Sequence, residues 1–137
     1  MMKSKSMKKI GVLMLLLWAW TAQSQFVINE IDVDQAGIDT QEFVEIKGNP
    51  GFSLSGYVMV LFNGNNATDA SYFAVDLTGA IPASGYFVIG NPLVPNVNQI
   101  VDPGASGAFQ NGADAIAFYQ GSAAACQTVL HQFLLEP

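Results

Sequence analysis

The hydrophobic and polar positions of this chain fall into two regimes. Residues 10–20 (IGVLMLLLWAW) form one unbroken apolar run without a charge. From Phe26 onward the apolar positions come instead in short β-branched and aromatic stretches, separated by clusters of Gly, Asn, Pro and Asp. That second pattern is a strand pattern, because short runs bounded by turn residues suit extended chain and leave no room for a helix between them. It predicts strands at 26–32, 42–47, 57–62, 72–77, 86–89 and 115–119, and a weaker one at 97–101. The breaks carry turn chemistry: Gly48-Asn49-Pro50-Gly51, Asn63-Gly64-Asn65-Asn66, Pro82-Ala83-Ser84-Gly85, Gly90-Asn91-Pro92 and Asn111-Gly112. Tyr57-Val58-Met59-Val60-Leu61-Phe62 is apolar at every position, which predicts a central strand covered on both faces. Phe73, Val75 and Leu77 alternate with Tyr72, Ala74 and Asp76, as a half-buried strand does. Six or seven short strands at this spacing predict an all-β sandwich or barrel.

The first regime has the three parts of a secretory signal peptide. Lys3, Lys5, Lys8 and Lys9 precede the apolar run, and Ala22 and Ser24 place small side chains at −3 and −1 of a cut before Gln25. The run is shorter than the ~20 residues a spanning helix needs, so cleavage and no remaining membrane span are expected. No Cys follows it to carry a lipid, since the single Cys is Cys126. Residues 1–24 are therefore read as a signal peptide and the protein as secreted, extracellular or periplasmic.

Export changes the charge. Four of the five Lys lie in the leader and there is no Arg, so Lys47 faces all eleven acidic residues with a side-chain balance of −10. Nucleic-acid binding depends on Lys and Arg displacing counterions, so a polyanion is excluded as a partner. The charged partners of such a surface are Ca²⁺, Mg²⁺ or a basic protein face. One Cys forms no internal disulfide.

The candidate chemistry is acidic. Glu30, Asp32, Asp34, Asp39, Glu42 and Glu45 fall within sixteen residues. Asp32, Asp34 and Gly37 match the first, third and sixth positions of a Ca²⁺ loop, but the fifth is Ala36 and the twelfth is Phe43. A helix–loop–helix calcium site is thus excluded. A looser Ca²⁺ site using Asp32, Asp34, Asp39 and Glu42 stands against the plainer expectation of a solvated acidic loop. Glu30 and Glu45 can meet across paired strands. An acid–base pair for glycoside hydrolysis is the enzymatic version of that pair, but residues 25–137 contain no Trp or Arg to hold a sugar. Ser-His-Asp chemistry has only His131 to draw on, Cys126 has no activating neighbour, and no Gly-rich phosphate loop or zinc cluster is present. An enzyme is not expected. Phe73, Tyr86, Phe87, Phe118 and Tyr119 can line a carbohydrate platform, though strand spacing favours core packing. Asn66-Ala67-Thr68 is a glycosylation triplet that reads as a turn.

Several ordered pieces resemble bacterial lamin-tail domains. The run from Ile28-Asn29-Glu30-Ile31-Asp32 through Glu42-Phe43-Val44-Glu45-Ile46 is similar to their opening. Leu54-Ser55-Gly56-Tyr57, Asp76-Leu77-Thr78-Gly79, Ile81-Pro82-Ala83-Ser84-Gly85-Tyr86-Phe87-Val88-Ile89-Gly90 and Gln110-Asn111-Gly112-Ala113-Asp114-Ala115-Ile116 follow in matching order. The resemblance covers roughly residues 26–120. It implies an immunoglobulin-like β-sandwich and a non-catalytic module of exported or surface proteins, in which such domains sit beside nucleases, phosphoesterases or adhesive modules. After Gly121 the chain departs from the family's polar loop and closing strand, so 122–137 is expected to be a truncated, frame-shifted or divergent tail. The domain scheme is a signal peptide at 1–24, a lamin-tail-like sandwich at 25–121 and that tail. The expected function is an exported binding or structural module, adhesive in one version, with a protein or cell-surface component as partner. A Ca²⁺-dependent ligand or carbohydrate binder using residues 30–45 and an accessory domain of an exported nuclease or phosphoesterase are the alternatives.

Overall fold

The computed structural model describes residues 24–36, 39–64, 71–101, 109, 110, 112 and 114–126. Residues 1–23 of the segment read as a signal peptide, the Asn66 triplet, His131 and the tail beyond Cys126 lie outside the described residues. Seven strands follow in order: β1 (Phe26–Asp32), β2 (Phe43–Gly48), β3 (Tyr57–Asn63), β4 (Ser71–Asp76), β5 (Tyr86–Gly90), β6 (Gln99–Ile100) and β7 (Asp114–Gln120). They form two sheets, β1-β2-β5-β6 and β4-β3-β7, antiparallel except for the short parallel pairing of β5 with β6. The expected all-β sandwich is what the chain forms. The weak strand expected at 97–101 survives only as the two residues of β6.

The core lies between the sheets and takes alternate residues from each. Val44, Ile46, Phe87 and Ile89 come from the larger sheet, Met59 and Leu61 from the smaller, and Leu54, Leu77 and Ile81 from the connections. Phe26 of β1 reaches across to the other sheet. Its ring packs edge-on against Tyr57 at 5.1 Å and Phe118 at 5.5 Å between centroids, with Phe52 at 6.2 Å. Aromatic pairs of this geometry add to the area they bury. Gly48 lies opposite Phe26, where a Cβ would come within 2.9 Å of the Phe26 Cβ and 2.7 Å of the Gln25 carbonyl. Only a residue without a side chain lets β1 approach β2 so closely there.

β3 is the central strand of its sheet, as its unbroken apolar run predicts. Val58 and Val60 point away from the core side chains Met59 and Leu61, yet they too are 0 and 1 % exposed. Their outer face is covered by chain that returns after β7. The Gly121 N–H donates to the Gly56 carbonyl at 2.8 Å, and the Ala123 N–H donates to Asp76 Oδ1 at 2.6 Å. A short helical turn, 123–126, thereby brings Ala125 and Cys126 against Val60, Phe62 and Tyr119 around an apolar cavity of about 350 Å³. The first five residues of the expected tail thus pack on the sandwich.

Leu61 is 1 % exposed between the sheets. Leu61→Ala leaves a cavity that close packing cannot refill, and should cost about 2–5 kcal/mol of unfolding free energy. Urea denaturation of the two proteins measures it, and a loss well under 1 kcal/mol would contradict the placement of Leu61 in the core.

Candidate functional site

The outer face of the larger sheet carries a groove of about 620 Å³, and its floor is set by strand register. Directly opposed residues on antiparallel strands project to the same side. Val44, Ile46, Phe87 and Ile89 point into the core, so Phe43, Glu45, Lys47, Tyr86 and Val88 point out. Three rows cross the sheet: Val27, Lys47 and Tyr86; Glu30, Glu45 and Val88; and Asp32, Phe43 and Gly90. Strict alternation from Phe26 would send Glu30 inward. A register shift between Ile28 and Glu30 leaves Asn29 as a spare residue, which turns Glu30 to the outer face and puts Ile31 opposite Val44 on the other side, at the edge, where it stays 45 % exposed. Glu30 then stands directly opposite Glu45, and the Asn29 side-chain amide donates to Glu45 Oε1 at 2.8 Å. In the next row the Lys47 ammonium lies 5.3 Å over the Tyr86 ring.

Two connections wall the groove. Residues 94–98 contribute Val94, Pro95, Asn96 and Asn98; Pro82 and Ser84 stand at one end. Asn98 fixes the first wall by exchanging two hydrogen bonds with Val88. Its N–H donates to the Val88 carbonyl at 2.9 Å, and its Oδ1 accepts from the Val88 N–H at 2.8 Å. Asn96 takes a φ of 58°, a left-handed conformation that Asn tolerates. The turn at the other end closes with the Gly85 N–H on the Pro82 carbonyl at 2.9 Å.

The acidic residues of the β1–β2 connection do not converge in the same way. Asp34 is exposed, and Asp39 Oδ1 accepts from the Gln35 N–H at 3.0 Å, which closes the loop on itself. Glu42 is 1 % exposed and turned inward, where its Oε2 accepts from Asn91 Nδ2 at 3.2 Å. The Glu42 carbonyl also accepts from the Asn91 N–H at 2.9 Å. Gly90 permits that contact, since a Cβ there would lie 2.6 Å from the Glu42 carbonyl oxygen. Among the described residues no three His, Cys, Asp or Glu side chains come together as metal ligands. Burial raises the Glu42 carboxyl above its ordinary 4.5; the Asn91 bond opposes the rise, while Asp39 and Asp32 add to it.

The five aromatics divide. Phe87 is in the core, and Phe73 and Phe118 pack against it. Tyr86 lines the groove, and Tyr119 is exposed on the outer face of the other sheet. The groove walls were not legible in the sequence, where 91–98 mixes turn residues with Leu93, Val94 and Val97 and shows no strand period. The outward turn of Glu30 did leave a trace: the apolar residues Phe26 and Ile28 are two apart, but Ile28 and Ile31 are three apart. A break in period two is the mark of a bulge.

Comparison with family models, with curated proteins and with solved structures gives no match. No helix among the described residues is long and apolar enough to cross a membrane.

The Glu42 carboxyl yields a pH-dependent prediction. Folding raises its proton affinity, so the folded protein binds more protons just above pH 4.5 than the unfolded chain does. Stability must then fall as pH rises through the folded value, and the cost is complete above it. Glu42→Gln removes that cost and keeps an oxygen for Asn91. The variant should be more stable than the parent at pH 7, with the advantage shrinking as pH falls through the raised folded value toward 4.5. Urea midpoints across pH measure this; a variant less stable than the parent at pH 7 contradicts it.

Proposed function

We propose that this chain is an exported, non-catalytic binding module built on an immunoglobulin-like sandwich of the lamin-tail kind. The observation that carries the reading is the groove outside the larger sheet. Its floor residues are fixed by strand register and its walls by hydrogen bonds to the backbone, one of them accepted by the Asn98 side chain. Rigid concave surfaces with a few placed polar groups are where ligands bind. The floor supplies two carboxylates and two aromatic rings, Phe43 and Tyr86, and the walls supply neutral amides, a hydroxyl and prolines. Such a set suits recognition through charge and apolar contact. The apolar leader and the small residues at Ala22 and Ser24 support delivery outside the cytoplasm, and the ordered lamin-tail-like pieces support the family. The buried bond of Glu42 to Asn91 draws that residue away from a calcium role and into holding the end of β2 against the end of β5.

Two measurements on protein expressed from the full chain in a bacterial host test this. Mass measurement of the exported fraction should give a chain beginning at Gln25; uncleaved protein retained in the membrane contradicts export. Thermal unfolding of the exported protein in millimolar Ca²⁺ and in chelator should give coincident midpoints. A ligand specific for the folded state at a hundred times its dissociation constant moves the midpoint by several degrees, and such a shift would transfer the acidic residues to a metal site.

A further inference from the structure

Resting on the binding-module reading, we infer that the outer groove receives a basic side chain, Arg or Lys, from an extended segment of a partner protein. The first argument is electrostatic. Like charges placed directly opposite on neighbouring strands destabilise a sheet, and Glu30 and Glu45 are so placed. The Asn29 amide offsets one oxygen of Glu45. The one cation in the neighbouring rows, Lys47, is held over the Tyr86 ring. A cationic head between the two carboxylates converts the repulsion into charge-assisted hydrogen bonds, and a guanidinium does so with two parallel donors.

The second argument is the apolar surface around the pair. Phe43, Val88, Val94 and Pro95 line the same cavity as the glutamates. A bare divalent ion makes no use of such walls and prefers six or more oxygens. Lys and Arg carry an aliphatic stem that packs on apolar surface while the charged head meets acids. The cavity, at about 620 Å³, is far larger than an ion and accommodates a long side chain with the backbone that bears it. The third argument is the approach. β1 is the outer strand of its sheet, and Val27 is 53 % exposed beside Lys47 in the row next to the glutamates. An extended segment crossing there covers apolar surface on both sides of its basic residue. The charge of the exported chain, eleven acids against Lys47, also favours the encounter with a basic partner and disfavours an acidic one.

Titration of the exported protein with a short blocked peptide, Ac-Gly-Val-Arg-Val-Gly-amide, followed by amide NMR shifts, tests this. Shifts should concentrate at Glu30, Glu45, Tyr86 and Val88. The Gln-for-Arg peptide should bind at least tenfold more weakly. Affinity for the Arg peptide should fall severalfold between about 0.05 and about 0.3 M salt, as screening requires. Glu30→Gln and the double variant Glu30→Gln/Glu45→Gln should each weaken the Arg peptide, the double by at least tenfold, while unfolding midpoints stay equal to or above the parent's. Equal binding of the two peptides, equal binding by the double variant, or shifts confined to another surface would overturn the assignment. Retention of parent and double variant on bacterial envelope fractions separates the two levels of the reading. Equal retention without peptide preference rejects the basic-side-chain assignment alone, and no retention of either rejects the module reading with it.

Discussion

A strand projects alternate side chains to opposite faces, and one spare residue reverses every projection after it. β1 depends on that rule. Ile28 and Ile31 share the side of Ile46 and Val44 only because Asn29 is left over between Ile28 and Glu30, and at this sheet edge they stay 38 and 45 % exposed. The same step brings Glu30 to the outside, opposite Glu45. Without it Glu30, not Ile31, would stand opposite Val44 on the core-facing side. The packing of β1 and the polarity of the groove are therefore one event. Phe26 fixes the other end of the strand by its contacts with Tyr57 and Phe118, and Gly48 lets it come close enough to make them.

The rest of the larger sheet turns this local event into a stable surface. β2 and β5 pair from Phe43 to Lys47, which sets Glu45 beside Val88 and Lys47 beside Tyr86. At one end of that pairing, Glu42, Gly90 and Asn91 close on each other through a buried side-chain bond and a backbone bond. A buried carboxyl contributes little net stability, because its desolvation offsets its hydrogen bond. What it does is hold the chain leaving β5 in one path. That path leads through residues 94–98, which Asn98 then ties back to Val88 as the wall of the groove. The opposite sheet has a different arrangement, since the turn at 123–126 covers β3 and leaves an apolar hollow instead of an acidic one.

Much of the framework is legible in the chain because period and turn chemistry act locally. Phe26 to Asp32 forms a strand with the expected ends, and the all-apolar run of β3 correctly marks a strand covered twice. What local pattern does not encode is direction. Charge density at residues 30–45 marks an acidic region, but not that Glu42 turns inward to Asn91 while Glu30 turns outward to Glu45. Tyr86 and Phe87 are adjacent and alike in sequence, and one lines the groove while the other fills the core. The groove walls come from turn residues whose path is set by long-range bonds, such as that of Asn98 to Val88 across ten positions. The cover on β3 comes from residues after Gly121, where no strand period announces it.

The spare residue at Asn29 decides the polarity of the groove, and cross-strand NOEs between β1 and β2 measure it directly. The account predicts backbone contacts of Glu30 with Glu45 and of Ile31 with Val44, alongside Ile28 with Ile46. An uninterrupted ladder in which Asn29 opposes Glu45 and Glu30 opposes Val44 would place Glu30 on the core side. The paired carboxylates, and the groove built around them, would then not exist.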